Sequence, residues 1–250
     1  MILILLGLVS FITWFISMLA GGGSPFVLIP LVSGLFGSQA VAPVITTGML
    51  VGNAQRTLFF WQEVNWPVTW WYMPGAIAGA GLGAYTLTRI HLEHLQILIA
   101  LILLLMVANY CFTKWSDQQK PSFVIQTWQF LPLGFLCAFL SGLVGSTGPI
   151  MNPIYLNYGL VKEQMIATKS LNVVVVHVTK MIAYGALGIL SLPYLAYGLI
   201  IGLAGLPANW LGKFVLDKMS NEQFQNAVLA FVAVSGAVML WQQRQFLFLL

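Results

Sequence analysis

Ionisable side chains are what this sequence has least of. Asp, Glu, Lys and Arg make up 6% of its 250 residues, against roughly 25% in an ordinary soluble domain. Hydrophobic residues make up 59%. That leaves too little polar surface to coat a water-soluble globule, so the chain reads as a polytopic membrane protein. Acids are scarcest, six Asp and Glu against ten Lys and Arg, for a formal net charge of +4. The basic residues form no run, which excludes a nucleic-acid footprint. Most fall near predicted helix ends, where they orient the chain or snorkel. Cys111 and Cys137 lie in apolar segments without metal or redox spacing and read as packing residues. No cofactor or metal site is expected. The apolar start, Met1 to Leu6, lacks the basic region of a secretory signal and reads as a first membrane helix.

What the sequence has in quantity is spanning-length apolar sequence. Runs occur at about 3–22, 39–61, 68–88 and 92–113, then at 128–145, 165–188, 192–212 and 224–241. Each is near the roughly 20 residues that one transmembrane helix needs. Only Lys114 to Gln126 is a hydrophilic linker. It separates a first repeat at 1–113 from a second at 127–250, with 114–126 between them.

The halves resemble each other. A shift of 125 pairs Gly34 with Gly159, Gln39 with Gln164 and Ala42 with Ala167. A shift of 129 pairs Gly83 with Gly212, Arg89 with Lys218, Glu93 with Glu222 and Gln96 with Gln225. This pattern implies a tandem duplication with small indels. The expected fold is an all-α bundle of two pseudo-repeats, each of about four spanning helices plus a short Gly/Pro-broken segment. Those short segments, about 25–36 and 149–159, either dip and return or cross. The first case makes the repeats parallel and the second makes them inverted.

Each half carries one glycine-rich break: Gly21-Gly22-Gly23-Ser24-Pro25 with Pro30, and Gly145-Ser146-Thr147-Gly148-Pro149 with Pro153. A broken helix in lipid leaves backbone N–H and C=O groups that only protein or a polar cavity can satisfy. Paired breaks therefore point to a transporter's substrate site. A helix that starts after glycine, with proline in its first turn, presents free N–H groups and a positive dipole end to an anion. Gly22, Gly23, Ser24, Gly145, Ser146, Thr147 and Gly148 are the candidate backbone and hydroxyl donors.

The helix expected at 165–188 adds charge. Lys169, Asn172, His177 and Lys180 fall on one broad face with no acid nearby in sequence. A cation in lipid faces a cavity or a partner, unless it snorkels from a helix end. The missing partner is then an anion, contacted by Lys169, Asn172 and His177. Thr47 stands where Asn172 does under the 125 shift, and Arg56 is either an oxyanion fork or an interfacial anchor. His177 could carry a coupling proton, since its unperturbed pKa is near 6.5. An intramembrane hydrolase using Ser146 or Thr147 with His177 would need a third group to orient the base. No acid is placed to do so, and the chain does not read as an enzyme. An anion channel or a non-catalytic membrane subunit remains the alternative.

These paired motifs resemble the sulfite exporter family TauE/SafE. The residues that carry the likeness are Leu19 to Pro25 with Pro30, Ser141 to Pro149 with Pro153, and Ala167-Thr168-Lys169-Ser170. The resemblance implies a multi-pass protein of the bacterial inner membrane. Its partners would be the lipid bilayer, a small anion (sulfite, another sulfur oxyanion, an organosulfonate or a small carboxylate) and a coupling proton or cation. Asn152, before Pro153, has Ile29 as its counterpart, so the two breaks are chemically unequal.

Overall fold

The computed structural model describes residues 2–87, 125–147 and 150–242. The expected span at 92–113, most of the linker, Gly148 and Pro149 lie outside the described residues. Regular structure among the described residues is helical. The elements are α1 Ile2–Leu19, α2 Pro25–Phe36, α3 Ser38–Phe59, α4 Trp66–Leu87, α5 Phe130–Val144, α6 Asn152–Tyr158, α7 Lys162–Ala186, α8 Leu192–Lys218 and α9 Asn221–Gln242. Helix closes every backbone hydrogen bond within the segment, which is what a bilayer demands of apolar runs like these.

Polarity is distributed as lipid requires. Leu58, Ile182 and Leu192 are 75%, 69% and 83% exposed, while Arg56, Asn172 and Lys180 are buried. By length and hydropathy α1, α7 and α8 can each cross a membrane unaided. The chain is a multi-pass membrane protein. The short pieces match their expected positions: α2 has 12 residues and α6 has 7. At 1.5 Å per residue that is about 18 Å and about 10 Å, short of a hydrocarbon core of roughly 30 Å.

Glycine seams bring the long helices together. In α4, a Cβ on Gly75, Gly79 or Gly83 would lie 2.1, 2.2 or 2.3 Å from the carbonyl oxygens of Leu131, Phe135 and Phe139 in α5. The four-residue spacing keeps these glycines on one face, so the two backbones touch. Gly81, off that face, borders open space. A second seam runs along α8, where Gly198 and Gly202 meet Thr47 and Val51 of α3, and Gly205 and Gly212 meet Trp14 and Met18 of α1.

Two large apolar clusters result, beside a small one of Ala42, Ala84 and Tyr184. One joins α1, α2, α3 and α8 through Trp14, Leu28, Val32, Ile45, Met49 and Ile201. The other is centred on α4, α5, α6, α7 and α9, with Tyr72, Phe130, Met151, Tyr155, Val176 and Phe224. Each sequence half thus lends a long helix to the other: α8 packs with the first half and α4 with the second. Helices α3 and α7 pack on each other and join the two groups.

The first break is a run of three residues that only glycine adopts readily. Gly21, Gly22 and Gly23 have φ of +65°, +116° and +124°, a region forbidden by Cβ sterics to most side chains. Pro25 then opens α2. The second break begins at Gly145, φ +90°.

Candidate functional site

The site is assembled from the α-helical periodicity of α7, which aims its polar face inward. Lys169, Asn172, His177 and Lys180 are all buried, at 8%, 0%, 1% and 0% exposure. None snorkels. The amine of Lys169 donates to the Gly21 carbonyl at 2.7 Å and to Asn152 Oδ1. Asn152 Nδ2 donates in turn to the Ala20 carbonyl at 3.3 Å. The two breaks therefore meet: the end of α1 is tied to the start of α6 through one amide and one amine. Lys180 donates to the Gly145 and Ser141 carbonyls at 2.6 and 3.0 Å. Both lysines thus sit at the C-terminal ends of interrupted helices, where unpaired carbonyls and the negative dipole end favour a cation. This explains how two amines stay buried without a carboxylate. The one ion pair among the described residues is Lys162–Glu163, at 3.1 Å and well away from α7's core.

A cavity of about 400 Å³ empty volume, its open mouth included, lies between α4, α5, α6 and α7. Its polar wall consists of Tyr72, Ser141, Ser146, Thr147, Lys169 and His177, and Cys137, Ala138, Met151 and Tyr155 complete much of the rest. Thr147 donates to the Cys137 carbonyl over a long 3.4 Å, a bond that costs little to exchange. His177 Nδ1 has no hydrogen-bond partner among the described residues. Neither has Asn172 Oδ1, although the Asn172 amide donates to Tyr155 Oη at 2.9 Å. A buried polar atom left unpaired costs about 1–3 kcal/mol, and such groups collect where a ligand completes them.

The other expected donors are placed differently. Ser24 is buried with its hydroxyl on Met49 Sδ at 3.6 Å. Gly23 lies under Phe231, whose Cε1 would be 1.9 Å from a Cβ there. Gly22 makes room for Lys169, whose amine would be 2.4 Å from a Cβ. The Gly145 carbonyl is taken by Lys180. The Thr47 hydroxyl donates to the Pro43 carbonyl at 2.9 Å, in its own helix. Arg56 neither forks an anion nor anchors at an interface. It is buried, donating to Asn209 Oδ1, Ser17 Oγ and the Trp14 carbonyl at 2.8, 3.2 and 3.0 Å.

Tyr155 and Tyr72 escaped the sequence reading, and Asn152 stood there only as the residue that makes the two breaks unequal. Asn152 carried a signal, being a polar residue set just before a proline in an apolar segment. Tyr72 carried none, because it reaches the cavity from a helix of the other half. No group of His, Cys, Asp and Glu able to hold a metal occurs among the described residues.

A cavity walled by an amine, hydroxyls and an imidazole, without a carboxylate, and set where two helix breaks converge inside a membrane bundle, belongs to a membrane permease rather than to a soluble binding protein. A scan against protein-family models agrees: the model for the sulfite exporter TauE/SafE family matches residues 6–239, and the chain belongs to that family. No curated protein and no solved structure matched.

Proposed function

We propose that this protein carries a small anion across the bacterial inner membrane, binding it in the cavity beside Lys169. The guest is sulfite, another sulfur oxyanion, an organosulfonate or a small carboxylate. The observation that carries this reading is a buried amine on the cavity wall with no carboxylate to neutralise it. Ser146 and Thr147 add hydroxyls, and His177 adds an unpaired ring nitrogen. Gly22 shapes the site by admitting the lysine, and Gly145 and Asn172 support it from behind. Within this reading Gly23, Ser24 and Thr47 act as packing around the first break, and a coupling proton would reside on His177.

The two-repeat organisation (1–113, the linker 114–126, and 127–250) is supported by the way α4 and α8 exchange places between the halves. Alternating access would then rock one mixed body, α1–α2–α3–α8, against another, α4–α5–α6–α7, with α3 and α7 sliding between them. The test is a thermal-shift screen of purified protein against sulfite, thiosulfate, sulfonates and short carboxylates, since a bound guest raises apparent stability by mass action. Saturable uptake of the stabilising anion into proteoliposomes supports transport. Non-saturating flux would reassign the chain to a channel, and no flux alone would reassign it to a subunit.

A further inference from the structure

We infer that the chain holds a single anion site, because the first-half counterpart of the cavity is plugged by Trp14. The inference rests on the transport reading only for the identity of the guest.

The structure supplies its own register between the halves, an offset of 124. Arg56 donates to Ser17 Oγ at 3.2 Å, and Lys180 lies 3.4 Å from Ser141 Oγ. Each cation also takes a carbonyl of the helix that bears its serine, Trp14 for Arg56 and Ser141 for Lys180. The glycine seams agree. Gly212 of α8 lies over Phe15 and Met18 of α1, and Gly83 of α4 lies over Phe139 and Gly142 of α5. Arg56 and Lys180, Ser17 and Ser141, Phe15 and Phe139, and Met18 and Gly142 each differ by 124 positions, while the seam glycines Gly83 and Gly212 differ by 129.

In that register Trp14 corresponds to Ala138, on the cavity wall. A methyl group leaves the space open in one half, and an indole fills it in the other. The Trp14 ring is fully buried between two glycines: a Cβ on Gly52 would lie 2.3 Å from Trp14 Cη2, and one on Gly205 3.0 Å from the ring. Gly52 corresponds to Val176, so the first half has also given up a side chain to seat the ring. The indole N–H finds no partner among the described residues, so apolar packing holds the ring in place.

The chemistry differs too. Lys169 corresponds to Ile45, and Val173 to Met49, both buried in the apolar cluster around Trp14. His177 corresponds to Asn53, whose amide is already spent on the Met49 carbonyl of its own helix at 2.8 Å. At the first-half position the indole, packed against Ile45 and Met49, occupies the space that an anion would need.

Thr13 corresponds to Cys137, which provides a matched pair of reporters. The two are 6% and 5% exposed, so a difference in reactivity reports the adjoining space rather than surface exposure. In a Cys111→Ser chain, 2-sulfonatoethyl methanethiosulfonate should label Cys137. In a Cys111→Ser/Cys137→Ser chain, the thiol introduced by Thr13→Cys should react on the order of 100-fold more slowly, because the neighbouring indole leaves the reagent no room. Adding Trp14→Ala, in a variant that still elutes as a folded monodisperse species, should restore labelling at position 13. Equal labelling at both positions without Trp14→Ala overturns the inference. So does an unreactive Cys137, or a position 13 that stays unreactive once the indole is gone. Sulfite should protect Cys137. If labelling follows the expected pattern but sulfite gives no protection, the plug stands and the transport reading falls.

Discussion

Lys169→Met is the perturbation that separates an anion-binding amine from a structural one. The amine lies on the cavity wall and makes two bonds, to the Gly21 carbonyl and to Asn152 Oδ1. Hydrogen bonds to charged groups contribute about 1.5–3 kcal/mol. At 1.4 kcal/mol per factor of ten, losing one such bond to the guest raises Kd about 10- to 150-fold. The effect on stability has two parts of opposite sign. Two acceptors lose a donor, which costs about 1–3 kcal/mol each, and a buried charge with no counter-ion disappears, which returns a comparable amount. The apparent Tm without ligand should therefore move by only a few degrees, while the ligand-induced shift shrinks strongly. The assay is a titration of sulfite or thiosulfate followed by thermal shift and by calorimetry. Lys180→Met is the control, since Lys180 spends its bonds on Ser141 and Gly145 behind the cavity. It should lower Tm and leave Kd within a few-fold. A Lys169→Met protein that binds as tightly as wild type would refute the reasoning, as would a Lys180→Met protein that loses affinity more steeply.

Four further outcomes are expected. Ser146→Ala with Thr147→Ala should weaken anion binding several-fold while leaving the fold intact, measured as the half-saturation concentration for proteoliposome uptake. Gly23→Ala should destabilise by about 2–6 kcal/mol, through strain at positive φ and overlap with Phe231. Phe231→Ala in the same chain should recover the overlap part only, so that the double variant melts between the single variant and wild type. Gly79→Ala should pry α4 from α5 and abolish a monodisperse species in detergent, because its Cβ would sit 2.2 Å from the Phe135 carbonyl. Gly81→Ala, with nothing within 4 Å, should be neutral or stabilising by up to about 1 kcal/mol from helix propensity.

Hydropathy and glycine were good guides to the fold. Seven of the eight expected spans fall on described helices, and the short piece expected at 25–36 is α2 itself. Apolar length and proline position are local properties, and lipid leaves them few alternatives. Side-chain roles were less legible, because they depend on helices distant in sequence. The seryl hydroxyl of the first break was a reasonable anion donor until Met49 occupied its lone neighbourhood. The glycine beside it was an open cradle until Phe231 covered it. The register differs by one residue in α3 and α7: a shift of 125 set Thr47 against Asn172, whereas the matched cations Arg56 and Lys180 are 124 apart. The identities that anchored that shift, Gln39 with Gln164 and Ala42 with Ala167, lie in the opening turns of α3 and α7. Within the helices the equivalence is between functions, guanidinium for ammonium, which residue matching cannot see.

An ammonium has three N–H groups, and Lys169 commits two of them to the chain itself, one to Gly21 and one to Asn152. A visitor content with a single N–H can dock without disturbing that clasp. One that demands two must pull a hydrogen away from either the first interruption or the second, and so slackens the joint between the two bodies. The arithmetic of a lysine's protons thereby links how much negative charge arrives to how firmly the bundle is fastened.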